Sequence, residues 1–388
     1  MVRLTARSLP VLALTALTAC TAPAQRPATP QAPTPARTAP PVTPAPAEAK
    51  PAPAPARAAP TRPSAVLWAA TRLRNADYVN LRDVAKHFGL KATWDKKQTI
   101  LTLSDARGAR LEFESNQKDF HFDTLRIFLG LPALAHKDSL WVSKLDVVKI
   151  VAPLLRPADH VAVLPPMTSR VIVIDAGHGG IDPGTQNVKL GLNEKTFTLD
   201  VALRVQKLLA LQGWRVLQIR DKDVELSRDK KADLLMRNEF ANRSKADVYL
   251  SIHFNAAGPA VTGVETYSLA PQFMLSAGDE QGDDMTNVAY PGNRLDYANL
   301  LLGEKIHRAM VEGLKTPDRG YKHARKAVLR MLDCPGVLVE CGYVSNDAEA
   351  RRIATPEFRQ QIAEAIVAGL QDYSSTLAGL HQPPSEAK

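Results

Sequence analysis

Acidic residues are almost missing from the first 64 positions, where Glu48 stands alone against seven Lys and Arg. The formal net charge of +9 therefore comes mostly from this segment, and the rest of the chain is close to charge balance. That balance excludes the broad basic surface a nucleic acid requires, and no nucleic-acid partner is expected. Cysteine is scarce too, with three in 388 residues, which excludes a disulfide-built scaffold. Between Cys334 and Cys341, Pro335-Gly336 reads as a turn and Val337-Leu338-Val339-Glu340 as a buried strand. Chain extended over that length spans about 20 Å, against the roughly 7 Å a disulfide tolerates, so two free thiols are expected. Aromatic residues make up 6% of the chain, and none lies between Thr21 and Ser64. The hydrophobic share of 45% still suits a folded protein of two or three domains.

Residues 1–20 read as a targeting segment. Arg3 and Arg7 precede the apolar stretch Val11 to Leu17, which is far shorter than the ~20 residues a membrane-spanning helix needs. Leu17-Thr18-Ala19-Cys20 resembles the bacterial lipoprotein box. That resemblance implies lipidation of Cys20, a lipid anchor to a membrane and, in a cell with two membranes, the periplasmic face of the outer one. Ordinary cleavage of a signal peptide is the alternative. Residues 21–64 hold 14 of the 29 prolines and read as an extended tether that cannot form a core.

Residues 66–165 predict a small α+β accessory domain. Asn80 caps a helix whose apolar positions are Leu81, Val84, Ala85 and Phe88, with Gly89 as its stop. Ala92 to Leu103 reads as a hairpin. Trp141-Val142-Ser143-Lys144-Leu145-Asp146-Val147 repeats Tyr78-Val79-Asn80-Leu81-Arg82-Asp83-Val84 in register, which predicts an internal duplication. The layout resembles the copper amine oxidase N-terminal-like domain. It implies no copper, because His87, His121, His136 and His160 lack ligand spacing. Wall binding or protein docking is the expected role, with a plain spacer as the alternative.

Residues 168–375 alternate strands and helices and predict an α/β domain, a twisted mixed sheet of about six strands flanked by helices. Strands are expected at 171–175, 215–219, 247–252, 264–268, 326–331 and 337–341, and helices near 194–212, 232–245, 297–314 and 356–374. A disordered tail is expected over 376–388. The run Val171-Ile172-Val173-Ile174-Asp175 ends in Ala176-Gly177-His178-Gly179-Gly180, so an imidazole emerges where α/β sheets place ligands. A second strand runs into His253 and a third into Glu340, while Asn193 caps a helix that leaves Glu194 at its exposed first turn. On that helix Phe197, Val201, Val205 and Leu208 are expected to face the sheet. Two imidazoles and a carboxylate from separate elements make a three-ligand metal set with an open fourth position, as in catalytic zinc sites. Glu340 is then the spare acid that moves a proton from water to a leaving amine. Each residue alone also has an ordinary structural reading.

The motifs Asp175-Ala176-Gly177-His178-Gly179-Gly180, Asn193-Glu194-Lys195, Ser251-Ile252-His253-Phe254-Asn255 and Val339-Glu340-Cys341-Gly342 resemble the zinc-dependent N-acetylmuramoyl-L-alanine amidases. Arg237 with Ala241-Asn242, Gly263-Val264-Glu265-Thr266-Tyr267 and Asp318-Arg319-Gly320 add to the match. The resemblance implies zinc held by His178, Glu194 and His253, Glu340 as catalytic acid/base, and peptidoglycan as substrate. Ala176 stands where the family usually has Pro. Cys341 raises the alternative of a thiol nucleophile, but alternation along the strand points it away from Glu340.

Residues 269–295 read as a long insertion rich in Gly and acids, expected as a substrate-groove rim or a gate over the metal. A zinc carboxypeptidase acting on stem peptides and a non-catalytic wall-binding lipoprotein are the rival functions. A monomer is expected, with an activator protein as a candidate partner.

Overall fold

The computed structural model describes residues 66–382. The targeting segment, Cys20, the tether and residues 383–388 lie outside the described residues. No helix among the described residues is long and apolar enough to cross a membrane.

The accessory segment contains β1 (Thr71–Leu73), β2 (Ala76–Asn80), α1 (Leu81–Phe88), β3 (Lys91–Trp94), β4 (Ile100–Ser104), β5 (Arg110–Glu114), β6 (Asp119–Phe122), β7 (Leu125–Phe128), β8 (Leu134–His136), β9 (Ser139–Ser143), α2 (Lys144–Asp146) and α3 (Ala152–Leu155). Its duplication forms a local antiparallel pair, with Val79 opposite Val142. Asn80 Oδ1 accepts from the Arg82 amide and Ser143 Oγ from the Asp146 amide, so both copies begin their helix with a side-chain cap. The second helix is interrupted by a π turn at Val147–Val151.

The second segment contains β10 (Val171–Ala176), β11 (Gln186–Asn187), β12 (Leu192–Asn193), α4 (Glu194–Ala210), β13 (Arg215–Gln218), α5 (Lys230–Arg243), β14 (Val248–Asn255), β15 (Val264–Ser268), α6 (Asp296–Leu314), β16 (Asp318–His323), α7 (Ala327–Arg330), β17 (Gly336–Tyr343), α8 (Asp347–Ile353) and α9 (Pro356–His381). Six of its strands form a mixed sheet in the order β13-β10-β14-β17-β15-β16, the number the sequence predicts. One was misplaced. The apolar run at 326–331 is the short helix α7, and the sixth strand is Asp318–His323. Val328 and Leu329 are adjacent and both buried, a pattern that short apolar runs share between helix and strand. The last helix continues to His381, past the expected tail boundary at 375, because Leu377 is still buried in the core.

The accessory segment is not detached. Tyr321 of β16 pairs with Ile127 of β7, and the sheet continues through β7-β6-β5-β4-β3 to eleven strands. One face of the six-strand part is covered by α4, α6 and α9, around a core that includes Ile172, Ile174, Leu250, Ile252, Val339 and Cys341. The opposite face carries Val173, Tyr249 and Leu338 under Ala241 of α5 and Val328 and Leu329 of α7. In the accessory strands, Leu101, Leu103, Leu111, Phe113, Phe120 and Ile127 are buried, whereas their alternating neighbours meet solvent wholly or in part.

Residues 269–295 hold two 3-10 turns, Asp284–Asn287 and Pro291–Leu295, and are firmly tied down. Met274 is buried in the accessory core. Arg325 donates to the carbonyls of Pro271 (3.3 Å), Met274 (2.5 Å) and Thr286 (3.3 Å). The segment leaves β15 from the end that pairs with Leu338, the early half of β17, and so heads away from Glu340.

Candidate metal centre and active site

Parallel strands β10, β14 and β17 run in one direction, so their carboxyl ends deliver His178, His253 and Glu340 to one edge; His253 and Glu340 are register partners. His178 adopts φ +63°, a left-handed conformation uncommon outside glycine and frequent at functional sites. Gly177 is needed beside it, because a Cβ there would come within 2.3–2.7 Å of the His253 ring. The space left by this glycine is therefore filled by a second candidate ligand rather than left open.

Glu194 is not at an exposed turn. It is 2% exposed, because the β11–β12 hairpin folds back over the start of α4 and the Thr185 amide donates to its Oε2 at 2.7 Å. Its Oε1 accepts from the Phe254 amide and lies 2.9 Å from His253 Nδ1, and its Oε2 lies 3.2 Å from His178 Nε2. Asn193 occupies the cap position, but its side chain accepts from Gln186 Nε2 instead. On α4, Phe197, Val201 and Val205 face the sheet, and Leu209 rather than Leu208 completes the buried row. Donor atoms of His178, Glu194 and His253 all lie within 4.8 Å of one another.

Glu340 is 6% exposed and its Oε2 is buried with no hydrogen-bond partner among the described residues. Burial pushes this carboxyl up to about 7, with Glu194 and Glu265 adding to the effect and His253 and Lys326 opposing it. Burial works against ionised Glu194, yet the two histidines hold its carboxyl far below the usual range. A carboxylate held ionised between two imidazoles, beside a buried acid with a free oxygen, fits a divalent cation. Cys341 lies in the helix-covered core on the other face, and burial raises its thiol well above the usual range. Among the described residues Cys334 and Cys341 are both free, as expected.

Around this centre, Asp182 and Arg220 carry no motif-level signal of their role, whereas Asp175 and Arg237 lie in the motifs quoted above. Asp182 Oδ2 lies 2.9 Å from His178 Nδ1 and also accepts from Lys230. Arg220 donates to the carbonyls of Ala176 (2.8 Å), Gly177 (2.9 Å) and Lys195 (2.8 Å), binding the histidine turn to the start of α4. Asp175 is fully buried, accepting from Arg237 (2.5 Å), Tyr249 (2.5 Å) and Ser251 (3.1 Å). The cleft beside the cluster is lined by Lys230, Leu234 and Val328 as well as His178 and His253. No residue of the 269–295 insertion is among those that line this small cleft.

Residues 172–372 match the N-acetylmuramoyl-L-alanine amidase family. A cell wall amidase of Bacillus anthracis is 35% identical over 208 residues, covering 53% of this chain and 36% of that one. The N-acetylmuramoyl-L-alanine amidase AmiC of Neisseria meningitidis is 32% identical, covering 53% of each chain. The germination-specific N-acetylmuramoyl-L-alanine amidase of Bacillus subtilis is 31% identical over 54% of this chain and 81% of its own length. The chain thus spans from about a third to four fifths of these relatives. A solved N-acetylmuramoyl-L-alanine amidase from Clostridium difficile is 29% identical with a TM-score of 0.44, covering 54% of this chain and 99% of that one. With the match extending over the strands of the six-stranded unit and over His178, Glu194, His253 and Glu340, the chain belongs to the N-acetylmuramoyl-L-alanine amidase family.

Proposed function

We propose that this chain is a zinc-dependent hydrolase of peptidoglycan that cuts the amide between N-acetylmuramic acid and the first L-alanine of the stem peptide. The observation that carries this reading is the His178–Glu194–His253 cluster with Glu340 beside it, in a chain of the amidase family. His178 Nε2, His253 Nδ1 and a Glu194 oxygen would hold the zinc. When bound, zinc supplies Lewis acidity to the scissile carbonyl and to water. Glu340 in its ionised form takes the proton from the attacking water and passes it to the departing amine. Asp182 fixes the ring orientation and tautomer of His178. Export and anchoring through a lipid on Cys20 complete the proposal, with the proline-rich tether giving the enzyme reach toward the wall.

The test is digestion of purified sacculi by the full chain with zinc, with chelated and Glu340→Ala controls and products weighed by mass spectrometry. Release of whole stem peptides is expected. Release of free amino acids would instead establish a carboxypeptidase, and no release with zinc present would leave a wall-binding protein.

A further inference from the structure

The catalytic face of the sheet does not end at Glu340. Glu265 and Tyr267 of β15 follow it, then Lys322 of β16, then Phe128 and Arg126 of β7. Tyr267, Lys322, Phe128 and Arg126 all remain partly open to solvent. Three cations are seated on this face by aromatic rings. Lys326 Nζ lies 4.5 Å from the Tyr267 ring centroid, Lys322 Nζ 5.0 Å from that of Phe128, and Arg126 Cζ 4.8 Å from that of Phe128. The Phe128 ring lies against Gly320, where an added Cβ would come within 2.4 Å of it. Gly320 (φ +101°) sits in the register shift of β16, so the seam between the two segments is built to accept that ring.

We propose that this row is a binding track for the stem peptide on the far side of the scissile amide, with Lys326, Lys322 and Arg126 recognising its free carboxylates. The assignment deepens the amidase reading above and rests on it. Charge selects the occupant: stem peptides end in carboxylates, whereas the amidated amino-sugar chain is neutral. Lys322 and Arg126 already hold Glu265 and Asp119, but Lys has three donors and Arg five, so both retain capacity for a second anion. Length agrees as well. Three strand spacings of ~4.8 Å separate Glu340 from β7, about 14 Å in all, and four extended residues cover about 13–14 Å.

The test compares two substrates of the full zinc-loaded chain, N-acetylmuramoyl-L-alanine and N-acetylmuramoyl-tetrapeptide. In the variant Arg126→Ala, KM for the tetrapeptide substrate is expected to rise about tenfold with kcat within about twofold. The shorter substrate is expected to be unaffected. Phe128→Leu, which keeps apolar volume at the seam but removes the ring, is expected to show the same split. Amidating the stem carboxylates should give the wild-type chain the variants' KM. Wild-type turnover of the tetrapeptide substrate alone would also support the track, since the first residue then does not suffice. An unchanged KM in the variants, or an equal change for both substrates, would overturn it. A wild-type chain releasing no stem from either substrate would instead refute the amidase reading itself.

Discussion

Glu265 and Glu340 face one another across the antiparallel β15–β17 ladder, yet their carboxyls are treated in opposite ways. Glu265 accepts from Lys322 (2.7 Å), Tyr343 (2.6 Å), Tyr267 (2.6 Å) and Asn255 (3.0 Å), and these donors overcome burial to hold it below the usual range. Glu340, with an unpartnered oxygen, is pushed up to about 7. Environments that divide two neighbouring carboxyls in this way suit Glu340, rather than Glu265, to the proton transfer proposed for it.

Activity should therefore have an acid limb set by Glu340. The base acts when ionised, so kcat/KM is retained above its pKa and lost as pH falls through it. A bound cation close by favours the ionised form, which places the midpoint at or below about 7. Glu340→Gln is expected to lower kcat on the order of a hundred- to ten-thousand-fold with zinc content unchanged. Persistence of the same acid limb in the residual activity of that variant would assign it to another group.

Asp182 makes a separable prediction. A carboxylate behind a metal-binding imidazole typically contributes 10–100-fold in metal affinity. Asp182→Asn should weaken zinc binding within about that range, measured by competition with a chromophoric chelator. Turnover at saturating zinc should stay within a few-fold of wild type. A variant with unaltered affinity would reduce Asp182 to a surface partner of Lys230.

The sequence made the strands that carry the candidate residues legible because each is a largely apolar run ending abruptly in a polar residue: Ile174-Asp175 before His178, Leu250-Ser251-Ile252 before His253, Val339 before Glu340. The alternation that placed Cys341 opposite Glu340 is equally local. Less was visible where distant segments decide. The burial of Glu194 depends on the β11–β12 hairpin, and the exchange between strand 318–323 and helix α7 depends on what Val328 and Leu329 pack against. Continuity of the sheet into the accessory segment rests on a single parallel pair, Tyr321 with Ile127, which no periodicity announces.

Cys341 is expected to be dispensable for chemistry. Its thiol lies among helix-facing residues, and burial raises it well above the usual range, so little thiolate forms. Cys341→Ala should retain near-wild-type kcat/KM while losing about 1 kcal/mol of stability from the lost packing. A loss of activity without a loss of zinc or fold would restore the thiol as a participant.

Arg237 carries the strongest stability prediction, because it joins the fold to the site. Its guanidinium bonds Asp175 (2.5 Å) and Asp233 (2.6 Å) in a buried setting, and it reaches the carbonyls of Ala176 and His178 at 3.3 Å. Removing one partner of such a pair leaves the other charge buried without compensation, at about 3–5 kcal/mol. Arg237→Met should therefore shift the denaturant midpoint sharply and weaken zinc binding through the displaced His178 backbone. Asp175→Asn added to it removes the orphaned charge while retaining an acceptor for Tyr249 and Ser251. The double variant should consequently be more stable than Arg237→Met alone. Zinc affinity should not recover with it, since the His178 carbonyl still lacks its donor. Simple additivity of the two substitutions in denaturant titrations would mean that the ion pair contributes nothing of its own.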